Sequence, residues 1–241
     1  RDDEPTATLT PPEQPPAGAS GKEHTTISAS LPFDVVKGQI PPDMQQRLVR
    51  DFTADEEEHI FAHCHRSLAP SCAAPAVLFV IGPSAVGKTY IIEATAKQLF
   101  GSSQNAVVVD GEVFRSWHRG WCEVVLHGMK QHLLHQDAWT LFKAVKTTNT
   151  GGGPGKGKPT SITQALKQRI LAGAIGARQN LIVPTCANDL PRLEADMGLL
   201  RDAGYSMHAV CLWAPLSETR ARGEPRSVRE GKRWTAENFD F

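Results

Sequence analysis

AVLFVIGPSAVGKTYIIEATAKQLF, residues 76 to 100, decides the fold. Its first six residues are wholly apolar and stop at Gly82, the pattern of a strand buried on both faces. From Thr89 to Phe100 apolar residues recur at helical spacing and end before Gly101. Between these runs GPSAVGKT fits G-x-x-x-x-G-K-[ST], with Gly82, Gly87, Lys88 and Thr89 at the diagnostic places and Pro83, Ser84, Ala85 and Val86 completing the loop. Glycines let the backbone curl so that successive N–H groups point inward, and the following helix adds the positive end of its dipole. Strand, loop and helix in this order hold phosphate. Residues 82–89 are therefore expected to bind ATP or another nucleoside triphosphate, with Lys88 on the β- and γ-phosphates and the Thr89 hydroxyl on Mg²⁺.

The next apolar run, in AVVVDGEVFRSWH (106–118), ends at Asp110 and puts a carboxylate at the C-terminal edge of a second strand, where open α/β sheets bind ligands. Such a carboxylate either holds the magnesium shell through water or takes the proton of a hydroxyl that attacks the γ-phosphate. Directly after the helix of the phosphate loop, the second role is the one small-molecule kinases use. A cap on the turn before Gly111 is the structural alternative. No N-K-x-D base-reading motif is present, which argues against a switch GTPase.

Upstream, TADEEEHIFAHCHRSL (53–68) opens with a Thr cap and Glu56 three residues on, predicting a helix that leads into the domain. His63-Cys64-His65 is not a metal cluster on this reading, because residues two apart on a helix point to different faces. WCEVVLHGMKQHLLHQDAWTLFKAV (121–145) has helical spacing, and its histidines and tryptophans read as packing and surface residues. In TTNTGGGPGKGKPTS (147–161) a second phosphate loop is imitated, but Pro159 stands where Ser or Thr belongs and no strand precedes it. A surface insertion, or a loop that closes over an acceptor, is expected.

The 241 residues suffice for one sizeable core, and Lys plus Arg equals Asp plus Glu at 26 each, which gives no field for nucleic acid or an anionic membrane. No apolar run approaches the ~20 residues of a bilayer span, so a soluble protein is expected. Five cysteines without a C-x-x-C pair point to reduced thiols and a cytoplasmic location. Residues 1–30, rich in Pro, Thr, Ser and Ala, read as a disordered tail or linker, and a chain that begins at Arg1 reads as an excerpt of a longer product.

The order of these segments resembles the zeta-toxin family of phosphate-loop kinases, whose characterised bacterial members phosphorylate a sugar hydroxyl of UDP-N-acetylglucosamine. The resemblance runs from DFTADEEEHI through the GPSAVGKT loop and VVVDGEVFRSWH. It continues through SITQALKQRILAGAIGARQNLIVPT and DLPRLEADMGLLRDAGYSMHAVCLWAP to TRARGEPRSVREGKRWTAENFDF, about residues 51–241. It implies an α/β, three-layer P-loop NTPase/kinase fold with a parallel sheet over residues 31–241. It also implies Asp110 as catalytic base and Arg115, His118 and Thr185 as substrate-binding residues. Two arginines would stabilise the transferring phosphoryl group: Arg233, and Arg220 with Arg222 and Arg226 as competitors. A nucleotide-sugar acceptor follows, and a protein antitoxin is a further possible partner. One departure stands out: where the family has an acidic residue before a threonine, NLIVPTCAND has Pro184 beside Thr185, so the acceptor can differ. The alternatives are a kinase for another small metabolite and a nucleotide-binding module without transfer activity.

Overall fold

β1 (Ala76–Ile81) is the centre from which the rest is laid out. In the computed structural model of the protein the structure describes residues 40–130, 136–150, 159–230 and 234, all within one unit that spans residues 33–241. The tail predicted over 1–30 lies outside the described residues. β1 is followed by α3 (Lys88–Phe100), β2 (Ala106–Val108), α4 (Gly111–Trp117), α5 (Arg119–Lys130) and α6 (Gln136–Ala144). Then come the short strands β3 (Lys146–Thr147) and β4 (Thr160–Ser161), α7 (Ile162–Gly176), β5 (Asn180–Thr185), α8 (Leu190–Asp202), β6 (Ser206–Cys211) and α9 (Leu216–Glu230). Two helices, α1 (Pro42–Leu48) and α2 (Ala54–His63), precede β1.

Among the described residues the main sheet has four strands in the order β2-β5-β1-β6, every pair parallel. Side chains alternate across a strand, so the two faces can be told apart by residue number. Leu78 and Val80 of β1, Ala106 of β2 and Ile182 of β5 form one core with Ile92, Ala96 and Phe100 of α3. Phe79, Val109 and Val183 face the other way, sharing a cavity wall with Leu171 of α7 and Leu193 and Leu200 of α8. Helices thus cover both faces, giving the three-layer α/β architecture.

Local chemistry fixes the element ends. Thr53 and Glu56 make the predicted capping box on α2: Glu56 N–H donates to Thr53 Oγ1 (3.3 Å) and Thr53 N–H to Glu56 Oε2 (2.9 Å). The helix stops at His63 rather than running on to 68. His65 adopts φ +58°, with His65 N–H bonded to Ala62 O and Arg66 N–H to Phe61 O. This is a Schellman end with histidine where glycine is usual. Ser161 and Asp189 cap α7 and α8 through their side chains.

Pro184 sits near the end of β5, a strand flanked on both sides. Ile182 O accepts from Val109 N–H, so even-numbered residues of β5 turn their backbone groups toward β2, whose ladder ends at Val108. The missing N–H of Pro184 therefore falls where pairing has stopped. The centre of the glycine-rich segment, 151–158, lies outside the described residues, but its flanks pair as the antiparallel ribbon β3–β4.

Candidate active site at the phosphate loop

Gly82 leaves β1 with φ +157°, and a Cβ there would lie 2.7 Å from the Leu212 carbonyl oxygen at the end of β6. Only glycine lets the loop pass this close. Ala85 also takes positive φ (+65°), and Gly87 (φ +108°) hands the chain to α3, so the loop curls around the N-terminus of that helix. Lys88, the first residue of α3, folds back along the loop: its Nζ donates to Gly82 O (2.8 Å) and Pro83 O (2.9 Å) and lies 3.6 Å from Cys186 Sγ.

A cavity of about 540 Å³ opens over the loop, and Lys88, Thr89, Asp110, Glu112, Arg222 and Arg226 all line it. Thr89, Asp110 and Glu112 bring oxygen donors to this cavity, the donor type that a hard cation such as Mg²⁺ takes. From α9 come Arg222 and Arg226, four residues apart and therefore on one face. Arg222 Nη1 reaches Val86 O (3.4 Å) while Nη2 pairs with Glu218 (2.9 Å), and Arg226 pairs with Glu112 (2.9 Å).

Arg220 does not line this cavity. Two residues from Arg222, it points around α9, pairs with Glu224 at 3.7 Å and lies over the Trp234 ring at 5.8 Å. Arg222 and Arg226, the competitors named for its role from the sequence, line the cavity instead. Arg233 lies outside the described residues.

Asp110 leaves β2 as the cap of α4, its Oδ1 accepting from Glu112 N–H at 2.9 Å. The structural alternative weighed from the sequence is thus realised. It leaves Oδ2 to the surroundings, and Asp110 lines both the phosphate cavity and a second one of about 270 Å³. Burial, and then the neighbouring Glu112 charge, push the Asp110 carboxyl above the usual range, while its cap bond, Lys167 and Lys88 pull it down.

The second cavity is walled by Arg115, Trp139, Lys143, Thr163, Lys167 and Thr185, with Lys88, Asp110, Glu112 and Pro184 shared with the first. Arg115 and Thr185, expected from the sequence to bind substrate, both line this cavity. The Arg115 guanidinium is almost wholly buried, 4.5 Å from the Trp139 ring centroid and 5.7 Å from that of Trp121. Thr185 Oγ1 accepts from Ala187 N–H at 3.1 Å.

His118 is a correction. It is fully buried, its ring 5.3 Å from Phe52 and 5.0 Å from Phe142, and it lines none of these cavities. Trp121 N–H donates to Nδ1 (3.1 Å), and Nε2 faces Arg50 O (3.3 Å), so the ring is a neutral strut between α4 and the segment before α2. Burial, with the Arg50 charge, holds its basicity below the usual histidine value. Its neighbours in sequence suggested a ligand; the aromatic cluster claimed it instead.

Lys143, Thr163 and Lys167 went unnoticed in the sequence, and Trp139 was read there only as a packing or surface residue. They come from α6 and α7, more than 25 residues beyond Asp110, and carry no fixed spacing to any motif. Among the described residues there is no cluster of three or more His, Cys, Asp or Glu side chains that could hold a metal ion. All five cysteines are free thiols. No helix among the described residues is long and apolar enough to cross a membrane.

Residues 61–154 match the family model described as Zeta toxin. Among solved structures, a chain of the PezAT chromosomal toxin–antitoxin system of the human pathogen Streptococcus pneumoniae is 20% identical with a TM-score of 0.52, over 78% of this chain and 69% of that one. A chain of the AvrRxo1-ORF1:AvrRxo1-ORF2 complex with sulphate ions is 16% identical over 73% of this chain and 47% of that one, with a TM-score of 0.37, a fit too loose to bear on the fold. No curated protein matches the chain. In sequence over its phosphate loop and the three helices that follow β2, and in fold over most of its length, the chain resembles the zeta-toxin family of phosphate-loop kinases.

Proposed function

We propose that the protein is a kinase that transfers the γ-phosphoryl group of ATP, or another nucleoside triphosphate, to a hydroxyl of a small molecule, with a nucleotide-sugar such as UDP-N-acetylglucosamine as first choice of acceptor. One observation carries this reading: Asp110 stands on the wall shared by the phosphate cavity and a separate cavity built of Arg115, Trp139, Lys143 and Lys167. A hydrolase needs room only for water there; a lined compartment of this size suits a second substrate. Its cations and aromatic ring fit an anionic molecule with a flat, stackable group.

The loop N–H groups and Lys88 hold the β- and γ-phosphates. Bound Mg²⁺, held by Thr89, would neutralise charge on the phosphate oxygens. The acceptor hydroxyl gives its proton to Asp110 Oδ2 as its oxygen bonds to the γ-phosphorus. The bond from that phosphorus to the bridging oxygen breaks, and a nucleoside diphosphate leaves. Arg222 and Arg226 face the equatorial oxygens, where charge gathers as the bond loosens.

Pro184, on the wall of both cavities in place of the family's acidic residue, favours a second reading with a different hydroxyl-bearing metabolite as acceptor. The fold likeness to a chain from a toxin–antitoxin system supports a protein regulator.

Mass spectrometry of the products formed from Mg²⁺-ATP and a panel of nucleotide-sugars tests the proposal, with Lys88→Ala as control. A Lys88-dependent gain of one phosphate on UDP-N-acetylglucosamine supports it. No phosphorylated product from this panel or a metabolite extract, with ATP still bound, refutes transfer and leaves a binding module.

A further inference from the structure

Lys167 lies on the second turn of α7, and no step above uses it. Its ammonium makes no hydrogen bond or ion pair among the described residues, yet it lines both the acceptor cavity and an adjoining one of about 440 Å³ between α7 and α8. It is held there by an absence of bulk across from it. A Cβ on Gly111 would lie 2.6 Å from Lys167 Cε, 3.4 Å from Nζ and 2.9 Å from Thr163 Cγ2. Any side chain at 111 displaces the lysine. The residue before this notch is Asp110.

The charges that face Lys167 are Asp110 and Glu112 from α4 and Arg192 and Asp196 from α8. Arg192 and Asp196 pair with each other at 3.8 Å, and Glu112 with Arg226 at 2.9 Å, which leaves Asp110 as the uncommitted anion. Around Asp110 itself the cations are Lys167 and Lys88, with Glu112, His63 and the Cys64 thiol the other titratable neighbours. Lys88 is engaged with the loop carbonyls. Burial pushes the Lys167 ammonium below its ordinary value while Asp110 pushes it up, and Lys167 in turn draws the Asp110 carboxyl down.

We propose that Lys167 is a positioning residue for the candidate base: lodged in the notch left by Gly111, it is the fixed counter-charge that keeps Asp110 ionised and its free oxygen directed into the acceptor cavity. This rests on the reading of Asp110 as base. It also explains why glycine follows that aspartate, which helix formation alone disfavours.

The test is a pH titration of the full chain labelled with ¹³C at lysine Cε, the Lys167 resonance being assigned by its loss in Lys167→Met. Asparagine caps a helix as well as aspartate does, so Asp110→Asn retains α4. In that variant the Lys167 midpoint falls by about one pH unit or more, the coupling expected of opposite charges at close range. An unchanged midpoint overturns the proposal. In a Gly111→Ala background the same substitution shifts the midpoint by less than half as much; an equal shift shows that the notch does not place the lysine and overturns that part. No nucleotide or acceptor is needed. A coupled titration without any kinase product therefore sinks the kinase reading alone, and an uncoupled one alongside a product sinks only the role given to Lys167.

Discussion

Glu56→Gln tests whether α2 is fastened to the site by a single carboxylate. Glu56 is 2% exposed, and both its oxygens are occupied. Oε1 accepts from Arg50 Nη2 (2.6 Å) and from Arg119 N–H at the start of α5 (2.8 Å), and Oε2 from Arg50 Nη1 (2.8 Å) and Thr53 N–H (2.9 Å). Burial alone would raise its pKa, but the Arg50 guanidinium and the two backbone donors bring it from 4.5 to about 2. At ~1.4 kcal/mol per pH unit this amounts to about 3 kcal/mol of stability at pH 7. Because the folded value is the lower one, that contribution is complete above about pH 5 and is lost as the pH falls toward 2. Gln keeps the shape and loses the charge. Urea unfolding at pH 7 should show the variant less stable by ~2–4 kcal/mol at unchanged m, and at pH 3 the gap between the two proteins should narrow. A gap below about 1 kcal/mol at pH 7, or one that is the same at both pH values, would refute the account.

Gly82→Ala places a methyl group against the Leu212 carbonyl, and should weaken binding of a fluorescent ATP analogue at least tenfold while costing about 1–3 kcal/mol in thermal unfolding. Arg222→Ala and Arg226→Ala should each reduce turnover by about 10²-fold or more, and Arg220→Ala by less than threefold; the reverse order would return the sequence-based choice of Arg220 to the site. Asp110→Asn should abolish transfer yet leave the melting temperature within about 4 °C and nucleotide affinity within about twofold of wild type, and a fully active variant would remove Asp110 as base. Asp189→Ala, which deletes the α8 cap, should cost about 1 kcal/mol in chemical denaturation with no effect on nucleotide affinity.

What could be read from the sequence was whatever is local. The β1–loop–α3 unit, the capping box on α2 and the place of Asp110 each depend on residues within a few positions of one another, so spacing alone carries them. The phase of α9 does not work that way. With five arginines between 220 and 233 and few apolar residues to mark the inner face, nothing in TRARGEPRSVREGKR says which side meets the loop. The acceptor cavity was hidden for a related reason: its tryptophan and lysines come from α6 and α7 and meet Asp110 only through the packing of α4 on α7. His118 failed differently, because a polar residue can be consumed by an aromatic core when its two nitrogens both find backbone partners.

Asp110 holds the first turn of α4 with the same carboxyl group that faces the two cavities. A proton arriving on that group weakens the bond to Glu112 N–H, since a neutral carboxyl is the poorer acceptor. The strength of a helix start and the progress of the reaction are then two readings of one charge. If Asp110 is the base, each transfer would slacken α4 and each loss of the proton would tighten it. Arg115, one turn further along the same helix, lines the acceptor cavity and would register the change. On the proposed reaction, product would then find its pocket slightly looser than substrate did, and release would be favoured by the same charge that starts the helix.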